Sequence, residues 1–172
     1  EVLRAQGEWY NSMREGHNVV VTREPVGVVA AITPWNFPIA LPAWKVAAAL
    51  AFGNTVVLKP STFVPGAAVM LAQILEDIGM PKGVFNLVIG DGRAMGDIMI
   101  DRAEAVTFTG GTETGRAVLR KAAETMTKAQ LELGGKNAYV ILDDADLDLA
   151  IETAANAAWI QTGQRCTATE RL

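Results

Sequence analysis

Residues 105–115 read Ala105-Val106-Thr107-Phe108-Thr109-Gly110-Gly111-Thr112-Glu113-Thr114-Gly115. A β-branched run over 105–109 meets two glycines, and a helix is expected from about 112 to 124. A strand that passes through glycines into a helix N-terminus leaves backbone N–H groups free to hold a phosphate. The turn lacks the G-x-G-x-x-G fingerprint, so taken alone it serves equally well as a structural turn.

The same strand-to-helix alternation extends in both directions. Strands are expected at 19–21, 26–32, 55–59, 84–89, 128–133 and 138–142, and helices at 40–52, 67–78, 94–100 and 146–160. Gly53 ends the first helix, Pro65 and Gly66 open the second, and Asp143, Asp144 and Asp146 suit the start of the last. Short β-branched strands between alanine-rich amphipathic helices define an α/β fold, a mainly parallel Rossmann-type sheet flanked by helices. The chain starts without Met and stops at Glu170-Arg171-Leu172 as though entering another strand. It is expected to be a fragment.

The 172 residues carry 15 basic and 19 acidic side chains, a net charge of −4, and half of them are hydrophobic. That supplies a core of useful size. No run of Lys or Arg marks a nucleic-acid surface, and no apolar stretch is long enough for a membrane helix. Without a secretory signal pattern, a cytoplasmic protein is expected. One cysteine and one histidine rule out an internal disulfide and a Cys/His metal site, so no metal is expected. His17, in Glu15-Gly16-His17-Asn18, reads as an exposed turn residue. The catalytic inventory is then one thiol, carboxylates, amides and lysines.

Three further stretches carry chemistry. Thr33-Pro34-Trp35-Asn36-Phe37-Pro38 follows a strand, where open α/β sheets place ligands, and its two prolines fix the backbone around Asn36. An amide held there serves an oxyanion, or it is part of a plain turn. In Leu131-Glu132-Leu133-Gly134-Gly135-Lys136, a carboxylate between leucines is expected to be partly desolvated and so a better base, unless it is a surface glutamate on an edge strand. In Gly163-Gln164-Arg165-Cys166-Thr167, a thiol beside a cation reads as an activated nucleophile or as a small buried hydrophobe.

In this order and spacing, the four stretches resemble the motifs of the aldehyde dehydrogenase family: P-W-N-F-P, F-T-G-S-T-x-x-G, E-L-G-G-K and G-Q-x-C. The resemblance runs across nearly the whole chain. It implies that Cys166 is the nucleophile, Glu132 the base that activates water, and Asn36, with the Cys166 N–H, the oxyanion donor. Lys45 matches a lysine in the family's W-K pair and would support electrostatics or proton movement. For the cofactor, NADP or NAD, it implies that Lys59, Ser61 and Thr62 lie near the adenosine ribose, with Gly92 close by. Phe108, Gly110, Gly111, Thr112 and Gly115 would hold the pyrophosphate. Ile32, Thr33, Trp35, Leu133 and Gly134 would line the cleft. Many NAD-preferring members carry Glu where this chain has Thr62, so NADP is expected to be accepted.

Gly111 stands where the family commonly has serine, which removes a hydroxyl from the phosphate turn. The family's later E-x-F-G-P segment has no counterpart in residues 1–172. The resemblance divides the chain into strands from an oligomerisation arm (1–25), a partial NAD(P)-binding domain (26–134) and the start of a catalytic domain (135–172). The full protein is expected to be a homodimer or homotetramer acting on a small aldehyde. Residues 22–27, 38–45 and 162–168 look most like the α-ketoglutarate semialdehyde (2,5-dioxopentanoate) dehydrogenases, and next like succinate semialdehyde dehydrogenases. Arg165 is expected either to attract an acidic aldehyde or to form a structural ion pair. Two other readings stay open: a non-catalytic structural or binding protein of the same fold, and an acylating enzyme that passes the thioester to coenzyme A.

Overall fold

Parallel pairing of five short strands organises the chain. A computed structural model describes residues 4, 5 and 7–172. After a hairpin of β1 (Glu8–Asn11) and β2 (Asn18–Val21), the chain runs β3 (Val28–Ile32), α1 (Ala40–Ala51), β4 (Thr55–Lys59), α2 (Pro65–Asp77) and β5 (Phe85–Leu87). It continues with α3 (Gly92–Asp101), β6 (Ala105–Gly110), α4 (Thr112–Thr125) and β7 (Lys128–Leu133). β8 (Asn137–Ala138), α5 (Leu147–Trp159) and β9 (Thr169–Arg171) follow. The main sheet has the order β5-β4-β3-β6-β7, all parallel, while β8 and β9 pair separately.

Side-chain alternation along the strands makes two cores, one on each face of the sheet. Ala30, Val106 and Phe108 pack with Ile100, Val118 and Ala122 under α3 and α4. Val29, Ala31, Val56 and Leu58 pack with Val46 and Ala68 under α1 and α2. Fully burying a side chain such as Leu58 or Val56 stabilises by about 1.5–3 kcal/mol, so these interior strands anchor the fold. Winding starts at central β3, runs outward through β4 to β5, then returns through α3 to β6 and continues to β7. The C-terminal ends of β3 and β6 therefore flank the switch point at which such sheets bind ligands.

Several boundaries differ from those read in the sequence. β3 begins at Val28 rather than 26, because Asn54 Oδ1 accepts from the backbone N–H of Val26 (2.7 Å) and Gly27 (3.2 Å), and Gly27 has φ +121°. Those two N–H groups leave the ladder for a side chain. β1 was not expected; its exposed residues carry no periodic apolar signal. The expected strand at 138–142 is reduced to the two residues of β8, with Val140, Ile141 and Leu142 exposed. The edge strand β5 is likewise shorter than 84–89. His17 lies exposed in the β1–β2 turn, as expected. Asp146 caps α5, accepting from Leu149 N at 3.1 Å.

Candidate active site

Three turns leave the C-terminal ends of β3, β6 and β7: residues 33–38, Gly110-Gly111 and Gly134-Gly135. With the loop after α5 they enclose a cleft of about 330 Å³, lined by Pro34, Trp35, Asn36, Gly110, Glu132, Gly134 and Cys166 among others. Cys166, Glu132 and Asn36, dispersed in sequence, thus line one cleft. The strand ends bring Asn36 and Glu132 there, and the loop brings Cys166.

The loop gets there by a sharp reversal. After α5, a 3-10 turn (Ile160–Gly163) holds Gln161, Thr162 and Gly163 in the left-handed region, with φ of 59°, 56° and 69°. Such a conformation disfavours non-glycine residues and persists where surrounding contacts over-determine it. Those contacts come from Asn36. Its Nδ2 donates to the Gln164 carbonyl (3.0 Å), and Gln161 Nε2 donates to the Asn36 carbonyl (2.9 Å). One Nδ2 proton of Asn36 is thereby engaged, and the second remains for a ligand. Cys166 follows on the exposed side of a turn closed by Ala168 N donating to Arg165 O (3.1 Å).

Arg165 corrects an expectation. Its Nη2 donates to the carbonyls of Asn156 (3.2 Å) and Ala157 (2.8 Å) at the C-terminal end of α5. A cation there satisfies helix-end carbonyls and complements the helix dipole. Among the described residues Arg165 pairs with no carboxylate; it caps α5.

For Glu132 the structure decides between the two readings: it lies exposed on β7, an edge strand of the sheet, as the surface alternative expects, and not desolvated between its leucine neighbours. Leu131 and Leu133 pack toward the α3–α4 core, so alternation turns Gln130 and Glu132 to the α1 face. There Gln130 Nε2 donates to Glu132 Oε1 (2.9 Å). Lys45 of α1 donates to Thr107 Oγ1 (2.7 Å) and Gln130 Oε1 (3.4 Å), and the Thr107 hydroxyl donates to the same Gln130 oxygen. Burial pushes the Lys45 ammonium below its ordinary range, while the nearby Glu132 carboxylate acts more weakly the other way. The result is a directed chain of donors from Lys45 to Glu132. Thr107 and Gln130 were not singled out in the sequence; Gln130's place two residues before Glu132 on the same strand face was the available signal. Val29, Leu41, Trp44, Ala48 and Ala49 wall an adjoining cavity of about 630 Å³ that Thr109, Glu132 and Cys166 also line.

On the opposite face, a cavity of about 340 Å³ lies against α3 and α4, lined by Ile32, Lys59, Gly92, Phe108, Thr114 and Val118. Lys59 is only 6% exposed. Its Nζ donates to the Pro60 carbonyl (3.1 Å), and burial lowers its pKa against a smaller opposing effect of Asp91. Ser61 Oγ accepts from Phe63 N (3.3 Å), and Thr62 is exposed in the same turn. A Cβ on Gly110 would stand 2.5 Å from Phe108 Cζ, so a side chain there would displace the Phe108 ring. A Cβ on Gly115 would stand 2.5 Å from Leu133 Cδ2, so α4 packs closely on β7. Gly111 is the N-cap of α4 and offers no side-chain cap, which leaves the first-turn N–H groups beyond it, from Thr112 onward, for a ligand. The buried hydroxyls of Thr33 and Thr109, at the ends of β3 and β6, have no hydrogen-bond partner among the described residues. Trp35 is 42% exposed at the cleft mouth. Apolar walls, a buried cation and the helix N-terminus on this face together fit a dinucleotide.

Comparison with known proteins agrees with this architecture. The aldehyde dehydrogenase family model matches residues 1–172, and the chain belongs to that family. A 2,5-dioxopentanoate dehydrogenase of Saccharolobus solfataricus is 46% identical over 99% of this chain and 36% of its own length. The structure of a betaine aldehyde dehydrogenase from Staphylococcus aureus in complex with NAD+ superposes with a TM-score of 0.89 at 41% identity, covering 97% of this chain and 34% of that one. An NADP-dependent enzyme of E. coli gives a TM-score of 0.91 at 39% identity, covering 98% and 35%. The chain therefore spans about a third of the length of each of these proteins. Among the described residues, no helix is long and apolar enough to cross a membrane, and no group of three His, Cys, Asp or Glu side chains is placed to hold a metal.

Proposed function

We propose that the full protein oxidises an aldehyde to a carboxylic acid with NAD or NADP as acceptor, and that this segment supplies the reacting groups. The carrying observation is the convergence of Asn36, Glu132 and Cys166 on one cleft. The Cys166 thiolate attacks the aldehyde carbon, forming a C–S bond and moving the carbonyl electron pair onto oxygen. The free Nδ2 proton of Asn36 and the Cys166 backbone N–H stabilise that oxyanion. A bound NAD(P) would supply the hydride acceptor for the thiohemiacetal carbon, and Cys166 would then carry the acyl group as a thioester. Glu132 then takes a proton from the attacking water, the C–S bond breaks, and the acid departs. Gln130 holds Glu132 from below, and Lys45 anchors Gln130.

The cofactor reading places the adenosine against Lys59, Gly92 and Phe108, with Ser61 and Thr62 at its ribose. The pyrophosphate would lie on Gly110, Gly111, Thr112 and Gly115 at the start of α4. Ile32, Thr33, Trp35, Leu133 and Gly134 would carry the remainder into the cleft. Lys59 in the cavity wall, with Thr62 and not a carboxylate three residues on in the sequence, supports acceptance of a 2′-phosphate and hence NADP. In this reading residues 26–134 form the cofactor domain, 135–172 begin the catalytic domain, and 1–25 lead from an arm that joins subunits of a dimer or tetramer. The separate β8–β9 sheet supports a boundary after Leu133. For substrate we favour a short acidic semialdehyde such as α-ketoglutarate semialdehyde, on the similarity to the 2,5-dioxopentanoate dehydrogenase; Arg165 no longer contributes to that choice.

The test is rapid mixing of the full protein with aldehyde and cofactor, following reduced cofactor and acid separately. Cys166→Ser should abolish both. Glu132→Gln should keep a first-turnover burst of reduced cofactor while acid release falls by about 10²–10⁴-fold. Equal loss of both in Glu132→Gln would remove Glu132 as the hydrolytic base. A wild type with no burst and no steady reduction on any aldehyde would remove the activity itself.

A further inference from the structure

The segment after the base and the loop carrying the nucleophile are joined by several contacts. β8 pairs with β9, Tyr139 N donates to Arg171 O (2.8 Å), Arg171 Nη2 donates to Lys136 O (2.6 Å), and Lys136 ion-pairs with Glu170. All of these lie beyond the Cys166 turn. Asn137 is different. Its Nδ2 donates to the Cys166 carbonyl (2.6 Å) and to the Ala168 carbonyl (3.0 Å), so both amide protons are spent on the two carbonyls that flank Thr167.

The geometry assigns Asn137 as a positioning residue for the Cys166 nucleophile, a bracket that fixes the thiol-bearing turn relative to the strand end carrying Glu132. The inference rests on the reading of Cys166 as the reacting thiol. Arg165 ties the turn to α5 at one end, through the Asn156 and Ala157 carbonyls. Asn36 holds Gln164. Asn137 adds a side-chain restraint on the C-terminal side of the thiol, beside the Ala168 N–H bond to the Arg165 carbonyl that closes the turn. Because the β8–β9 pairing and the Lys136 and Arg171 contacts do not involve the Asn137 side chain, its loss should leave the two segments joined while freeing Cys166. A reacting atom displaced by about 1 Å can cost about 10²-fold in rate, which makes such a restraint visible in kinetics.

The experiment compares wild type, Asn137→Asp and Asn137→Gln in the full protein. Asp keeps the shape, removes both donors and sets a carboxylate against two carbonyls; Gln keeps the donors on a longer stem. Three measurements are made: the first-turnover burst, the rate of Cys166 alkylation by iodoacetamide, and the KM for aldehyde and cofactor. Asn137→Asp should slow burst and alkylation together by about ten- to a hundredfold with both KM values unchanged, and Asn137→Gln should recover part of the loss. Wild-type burst and alkylation in a folded Asn137→Asp protein would overturn the assignment. So would a variant whose burst is intact and whose acid release alone is slow, since Asn137 would then act on hydrolysis. If Asn137→Asp does not fold, Asn137→Gln decides: alkylation faster than or equal to wild type counts against the bracket, and alkylation slower than wild type supports it. Alkylation needs no aldehyde, so failure of the oxidation reading and failure of the Asn137 assignment are told apart.

Discussion

Replacing Arg165 with Met separates two uses of a cation beside Cys166. If Arg165 drew in an acidic aldehyde, a substrate carboxylate would sit about 5 Å from the guanidinium, and at an effective dielectric constant of about 20 their attraction would be about 3 kcal/mol. Losing it would cut the preference for an acidic over a neutral aldehyde more than a hundredfold. The structure instead gives both bonds of Nη2 to the α5 carbonyls at 2.8 and 3.2 Å. Removing a charged donor from those carbonyls should cost about 1–3 kcal/mol of stability, since the stem of Met still packs but the helix end loses its cap. The expected outcome is therefore a lower urea midpoint and a slower reaction of Cys166 with every aldehyde. The ratio of kcat/KM between an acidic semialdehyde and a neutral aldehyde of equal length should stay within about twofold of wild type, well under the 1.4 kcal/mol that makes a tenfold change. Denaturation curves and a two-substrate kinetic panel read both effects. Collapse of the substrate ratio by tenfold or more, at unchanged stability, would refute the capping argument.

Two other perturbations follow from named groups. Burial holds Lys45 below its ordinary value of 10.5, so between its folded value and 10.5 the unfolded chain binds more protons and stability rises with pH across that window. The contribution is present above 10.5 and is lost as pH falls through the folded value; Lys45→Met should therefore be most stabilising, relative to wild type, near pH ~7 and lose that advantage toward pH ~10. A midpoint difference that is flat or grows with pH speaks against a depressed Lys45. For the cofactor, Thr62→Glu adds a carboxylate to the turn beside Lys59 and should lower the affinity for NADP relative to NAD by about tenfold, a like-charge effect of about 1.4 kcal/mol. Equal affinities for the two cofactors, measured by fluorescence titration before and after the change, would place the 2′-phosphate elsewhere.

Much of the site was legible because its signals are local. The Gly110-Gly111 turn between a strand and a helix, the Pro-framed Asn36 and the Gly134-Gly135 break after Glu132 each fix backbone conformation within a few residues, and all three turns fall at strand ends as read. The bracketing of Cys166 was less legible. Asn137 looks like an ordinary polar residue in sequence, Arg165 like a group for a substrate or an ion pair, and nothing within five positions of either names its partner. Whether Glu132 is desolvated or exposed was open in sequence, because its leucine neighbours point to the α3–α4 face of β7 and so do not cover the carboxylate.

By itself, then, the sequence determined the alternation of parallel strands and helices, their approximate ends, and the chemical types present: one thiol, one candidate base, one framed amide. These follow from periodicity and backbone sterics, which act between near neighbours. Only the tertiary structure decided which groups meet. Lys45 finds Thr107 across 62 positions, and Asn36 finds Gln164 across 128. Asn137 reaches Cys166 across 29. A hydrogen bond is a statement about distance in space, and strand order, edge position and the reversal after α5 set that distance.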